Sequence, residues 1–226
     1  MDLVNPKSLS GTLNSIRLAR LRGDAIPKEA REKAASWIAS RMSAPGSYRG
    51  LPAPTSSDYH AKLRLFTGET VGSHAGTGCK LGFEAAWALS VLQPTDPQTA
   101  DAAAICRRRV IERYAQEQAR RQGMYCCYSC SVAGWPALHA AGGGEAARLL
   151  GAAMALLLAD RSGPARWARF PFWYTVLALA EMPLPAAVEE LRYAASALES
   201  ALRPSKKRDT FVLRRRLLAR HVLGKL

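Results

Sequence analysis

RWARFPFWYTVLALAEMP, residues 166 to 183, sets Phe170, Phe172, Trp173 and Tyr174 almost side by side, just after Arg166 and Arg169. From Phe170 to Ala180 no charged side chain intervenes. A helix that is apolar on every face must be surrounded by protein. The stretch therefore predicts an inner helix, screened from water by an outer layer of helices. Pro171 suits the first turn, where its missing N–H costs little. Each aromatic buried there contributes roughly 2–3 kcal/mol.

The surrounding sequence agrees. Alanine and leucine dominate, β-branched residues are sparse, and no stretch alternates with period two, which favours helix over sheet. With 226 residues, 48% hydrophobic and 22% charged, the chain suits one soluble domain with a sizeable core and not a disordered polymer. The expected organisation is an N-terminal arm over 1–26, paired helices over 27–202 and a basic C-terminal helix over 203–226.

Helix punctuation is readable. Pro27 opens PKEAREKAASWIASRM, and Thr55 with Asp58 forms a capping box before DYHAKLRLF. The stretches 44–57 and 68–78 are rich in Gly, Pro or both and read as loops. KLGFEAAWALSVLQ follows as a helix ending at Pro94. Thr95, Asp96 and Pro97 start a helix that runs to about Arg121, and Gly123 suits a left-handed C-terminal cap. Residues 130–141, 145–160, 185–202 and 208–223 are further helices.

Trp37, Trp87, Trp135 and Trp173 stand 50, 48 and 38 residues apart. AAWALSVLQP, AGWPALHAAG and FWYTVLALAEMP each lead an apolar helix to a Pro or Gly stop, and a more polar helix follows. That is the pattern of a repeated helical hairpin, each unit burying one face on its neighbours. The predicted fold is all-α, with repeated helical hairpins in two layers.

On these residues the chain resembles the terpenoid cyclase and protein prenyltransferase α/α-toroid superfamily. Arg166, Trp167, Phe170, Pro171 and Tyr174 are similar to its RW..F.FP..Y pattern, and GMYCCYSCSVAGWPALHAAGG, 123 to 143, resembles the Cys- and Gly-containing helix start that precedes it. The resemblance covers residues 79 to 202 and implies a toroid with an inward cavity. It implies no reaction. The QxxDGGW repeat ending and the DxDD cluster are absent, and the zinc ligands of the prenyltransferases have no counterpart by motif. The chain is short for a closed toroid, so an open arc like HEAT or armadillo arrays, with repeats of about 40–47 residues, is the alternative.

Several constellations carry chemistry. Cys126, Cys127 and Cys130 lie in YCCYSC, with His139 nine residues beyond Cys130. CxxC is half of a zinc site, completed only from Cys79, Cys106 or a distant His. The same thiols suit redox or nucleophilic chemistry, or close helix packing. GSHAGTGCK, 72 to 80, lacks the Gly-Lys-Ser/Thr ending of a phosphate loop, though helix-start amides can hold an anion. Glu84 and Glu181, in otherwise apolar helices, are candidates for acid–base catalysis alongside Cys127 and His139, or else partners for arginines such as Arg166 and Arg169. Tyr125, Tyr128, Trp135, Trp173, Tyr174 and Arg169, with His139, are the expected lining of an apolar ligand pocket.

The formal net charge of +14 concentrates at the end: residues 203–226 hold nine Lys or Arg against one Asp. Lys206, Lys207, Arg208, Arg214, Arg215, Arg216 and Arg220 are the candidate contacts to an acidic partner, anionic lipid or nucleic-acid phosphate. A solvated capping helix is the plain alternative. No signal peptide or membrane-spanning run is expected, and five cysteines do not suit a disulfide framework, so the predicted location is cytoplasmic. No cofactor is called for. The expected function is a non-catalytic helical-repeat module binding an apolar or anionic ligand, or a protein, on its concave face. An enzyme working in an apolar cavity and nucleic-acid association are the alternatives.

Overall fold

The computed structural model describes residues 1–226 except Ala61, Gln122 and 205–208. Among the described residues it is all-helical. The helices are α1 (Leu9–Arg22), α2 (Lys28–Ser40), α3 (Ser56–His60), α4 (His74–Leu92), α5 (Pro97–Arg121), α6 (Tyr128–Ala141), α7 (Gly143–Ala159), α8 (Phe172–Ala180), α9 (Pro185–Tyr193), α10 (Ala195–Leu202) and α11 (Thr210–Leu223), with a 3-10 turn at Arg41–Ser43. Extended pairing is limited to isolated bridges between Arg64 and Thr70 and between Arg161 and Trp167.

Three helices carry unbroken buried runs: Thr77–Leu89 in α4, Cys130–Leu138 in α6 and Tyr174–Leu179 in α8. They lie next to one another. α6 packs between α4 and α8, α4 is flanked by α1, α2 and α5, and α8 by α9 and α11. The flanking helices bury one face each, as α5 does with Ala103, Cys106, Val110 and Tyr114 and α7 with Ala146, Leu149, Ala153 and Leu157. Continuous hydrophobicity marks a surrounded helix and a periodic stripe marks a covering one; α8 is enclosed over Tyr174–Leu179, while Pro171, Phe172, Trp173 and Ala180 stay partly exposed.

The caps hold too. Asp96 accepts from the Thr99 amide at 2.9 Å. Gly123 has φ +80°, and a Cβ there would meet the Ala152 carbonyl of α7 at 2.5 Å, so glycine serves both conformation and contact. The Thr55–Asp58 pair does more than expected. Asp58 is buried, accepts from Thr55, and also takes the Leu9 amide at 2.9 Å and the Ser8 hydroxyl at 2.7 Å. One carboxylate thus anchors the starts of both α3 and α1. The segment read as an N-terminal arm is a core element: Leu9, Leu13 and Ile16 of α1 are fully buried.

Local boundaries differ where tertiary contacts intervene. α4 begins at His74, inside the stretch read as a loop, because the Ser73 hydroxyl caps it from the Gly76 amide. Its glycines serve close approach instead: a Cβ on Gly82 would sit 3.1 Å from Leu51. DYHAKLRLF does not continue as helix beyond His60, and 63–71 folds back as a tight turn, with Leu63 and Val71 and Leu65 and Glu69 paired through backbone bonds. Residues 185–202 break into two helices at Ala194. Helix α8 starts at Phe172 with Pro171 as its cap. The preceding residues are fastened by Asp160, which accepts from the Arg169 amide at 2.8 Å and pairs with the Arg169 guanidinium.

Candidate functional site

The two acids proposed from sequence for acid–base work sit together at the junction of α1, α4 and α8, where both are neutralised. Glu84 is 2% exposed. It pairs with Arg17 Nε at 3.4 Å and accepts from the Tyr174 hydroxyl at 2.6 Å. Glu181 pairs with Arg20 at 3.0 Å and faces Arg17 at 3.9 Å. The Arg17 guanidinium lies over the Trp87 ring, 4.0 Å from its centroid. Burial, then the Glu84 charge, push the Tyr174 phenol well above its usual range. The partners come from α1, not from Arg166 or Arg169: Arg166 stacks on Phe172 at 4.4 Å, and Arg169 holds Asp160 while lying 4.7 Å from the Tyr128 ring.

A second polar cluster forms where the starts of α4 and α6 meet. Cys127 caps α6, its Sγ accepting from the Cys130 amide at 3.4 Å. This directs Cys130 inward, where its sulfur and those of Cys79 on α4 and Cys126 before α6 all lie within 4.8 Å of one another. Cys79 and Cys130 are buried; Cys126 and Cys127 reach solvent. Beside them Lys80, 7% exposed, donates from Nζ to Cys130 Sγ at 3.4 Å. That sulfur is its sole hydrogen-bond partner among the described residues. Thiols donated by Cys126, Cys127 and Cys79, with the Lys80 charge, hold Cys130 well below the usual thiol range. Cys126 is correspondingly pushed up by its bonds to Cys127, Cys130 and Cys79. The fifth cysteine, Cys106, is separate and fully buried; desolvation pushes it up to about 12.

His139 does not join this cluster. It stands in the last turn of α6, nine residues from Cys130 and hence about 14 Å along the axis. It lines a groove of about 750 Å³ between α6, α7 and the start of α9 instead. Leu138, Leu150, Met154, Leu158 and Leu184 form its apolar walls, Gly151 and Ala155 its floor along α7, and Arg161 and Glu189 supply charge. Leu158 is 53% exposed there.

Of the seven residues expected to line a pocket, His139 alone lies in this groove. Tyr125 is buried against Phe83 and Tyr114, with ring centroids 5.1 and 5.0 Å away, and shares a hydroxyl bond with Tyr48. Trp135 and Tyr128 pack on Phe170. Trp173 is half-buried on Phe172, and Tyr174 serves Glu84. These rings knit the inner helices together. The aromatic run of 166–174 is consumed in the same way, with Trp167 donating to Glu190 of α9 at 2.9 Å.

On α11, Arg214 lies over Phe66 at 4.8 Å, Arg215 donates to the Thr67 carbonyl at 2.7 Å and Arg216 to the Leu202 carbonyl at 2.8 Å. Desolvation lowers Arg214. Three of the four described candidate arginines therefore fasten the 63–71 turn and the end of α10; Arg220 is exposed. Lys206, Lys207 and Arg208 lie outside the described residues. No helix among the described residues is long and apolar enough to cross a membrane. Sequence reasoning missed Arg17, Arg20 and Lys80; the one legible signal was Lys80 standing directly beside Cys79. No protein-family description, curated protein or solved structure matches the chain.

Proposed function

We propose that this chain is a non-catalytic binding module of paired helices, and that it takes a small amphipathic molecule, apolar in body with an anionic end, in the groove between α6, α7 and α9. The observation that carries this reading is the groove itself. Its volume of about 750 Å³ falls in the range of small-molecule sites, and its apolar walls with a few charged groups have their usual make-up. An exposed leucine on its wall, Leu158, gains from being covered. In this reading α4/α5, α6/α7 and α8/α9 repeat one hairpin, as the tryptophan spacing and the resemblance to the α/α-toroid superfamily imply.

The catalytic alternative finds less support. Glu84 and Glu181 are tied to Arg17 and Arg20, so neither is a free acid facing an apolar cavity. Nucleic-acid association through α11 is likewise less favoured, because Arg214, Arg215 and Arg216 are engaged by the protein itself.

The test uses Gly151. It is exposed, helical, and a Cβ there meets nothing within 4 Å. Gly151→Leu therefore fills the groove without disturbing the fold, and raises stability by about 0.5–1 kcal/mol through helix propensity. Anilinonaphthalene sulfonate should fluoresce on the folded wild-type protein and lose at least tenfold in affinity on Gly151→Leu. Equal binding by both, with the variant folded by circular dichroism, removes the groove as the site.

A further inference from the structure

We infer that Cys79, Cys126 and Cys130 form a three-sulfur binding site for a soft divalent cation, Zn²⁺, with Lys80 as the charge that balances the centre. The inference stands apart from the groove, which lies at the other end of α6.

The first argument is geometric. Three sulfurs, from α4, α6 and the segment just before α6, lie within 4.8 Å of one another. Zinc holds thiolates at about 2.3 Å in a tetrahedron, which sets its sulfurs about 3.8 Å apart. Closing onto an ion thus requires shifts of about 1 Å or less. Two of the sulfurs, Cys79 and Cys130, sit on buried helical turns that fix their directions. Cys126 sits at the solvent side, where a cation arrives and where a short side chain can rotate onto it. The donor set is all sulfur, which selects thiophilic metals over calcium or magnesium.

The second argument is charge. A lysine buried to 7% exposure needs an anion, since an isolated buried ammonium is costly. Lys80 pairs with no carboxylate among the described residues; its ammonium points at sulfur. Three thiolates around a divalent cation leave one negative charge, and Lys80 neutralises it. Its N–H on Cys130 also orients that ligand, as groups behind metal ligands usually do. Close packing of small residues explains buried cysteines, but it does not explain a buried cation aimed at them.

Full-length protein, purified reduced and without oxygen, should carry zinc at close to one per chain. After chelation, Co²⁺ alone should restore a sulfur-to-metal charge-transfer band and intense tetrahedral d–d bands. Cys126→Ser, at an exposed position that leaves the core intact, should weaken Co²⁺ binding at least tenfold. Cys106→Ser should bind like wild type. Lys80→Met should lower affinity about tenfold while keeping the tetrahedral spectrum. Absence of stoichiometric zinc together with no thiolate–cobalt band overturns the site. So does a Cys126→Ser variant that binds cobalt as tightly as wild type, or a protein whose thiols close into a disulfide in preference to holding either ion.

Discussion

Arg17 on α1 and Lys80 on the adjoining α4 are both basic and both buried, yet they are compensated in opposite ways. Arg17, 2% exposed, has Glu84 and Glu181 for counter-charges and the Trp87 ring beneath it. Lys80, 7% exposed, has a sulfur. A carboxylate paired with an arginine locks three helices together. A thiol beside an ammonium is adjustable: it can hold its proton, lose it, or exchange it for a metal. The first arrangement is what a fold uses to fix itself, and the second is what a site uses to stay chemically available.

Removing Glu84 should break the first arrangement most severely. Glu84→Ala leaves Arg17 half-compensated in the core and the Tyr174 hydroxyl unpaired, a loss of about 3–5 kcal/mol. Urea unfolding should show a large fall in midpoint with little change in slope. If the cost stays under about 1 kcal/mol, the cluster is not what joins α1, α4 and α8.

Lys80→Met should behave differently in metal-free protein. The variant gives up a single hydrogen bond to sulfur, so stability should move by no more than about 1 kcal/mol in either direction. A cost equal to that of Glu84→Ala, measured in chelator by the same urea series, would erase the distinction between the two cations.

Thiol labelling sharpens the comparison at smaller scale. At pH 8, iodoacetamide on metal-free protein should modify exposed Cys127 within minutes, Cys126 more slowly because its bonds to Cys127, Cys130 and Cys79 push its thiol up, and Cys106 not at all, as read by peptide mass spectrometry. Cys106 is buried, and desolvation pushes its thiol to about 12, so its reactive form is scarce at that pH. Stoichiometric zinc should slow the labelling of Cys126. Fast modification of Cys106 would mean that α5 opens readily from α2 and α6.

The sequence was informative where the physics is local. Asp96, Pro97 and Gly123 act where they were expected, because caps and left-handed turns depend on a few neighbouring residues. The enclosed α8 was legible from its lack of charge alone. The pairings that define the two clusters were not, since Arg17 meets Glu84 across 67 residues and Lys80 meets Cys130 across 50. Three of the four neighbouring thiols were visible as Cys126, Cys127 and Cys130, and Cys79 stood among the named completions. His139 was drawn in by proximity in sequence, although the helix rise carries it to the far end of α6. The glycines of 68–78 resembled a loop, whereas Gly78, and Gly82 beyond them, allow Tyr48, Tyr59 and Leu51 to approach α4. The basic run of α11 read as contacts to an anionic partner or as a solvated face, but Arg214 and Arg215 reach backbone carbonyls that only the folded turn at 63–71 presents.

The most direct test is zinc-edge X-ray absorption on the reduced full-length protein. A stoichiometric zinc with a first shell made of sulfur at about 2.3 Å is the result expected if the thiols and Lys80 form a metal centre. A first shell dominated by nitrogen or oxygen, or protein that holds no stoichiometric zinc at all, would contradict it.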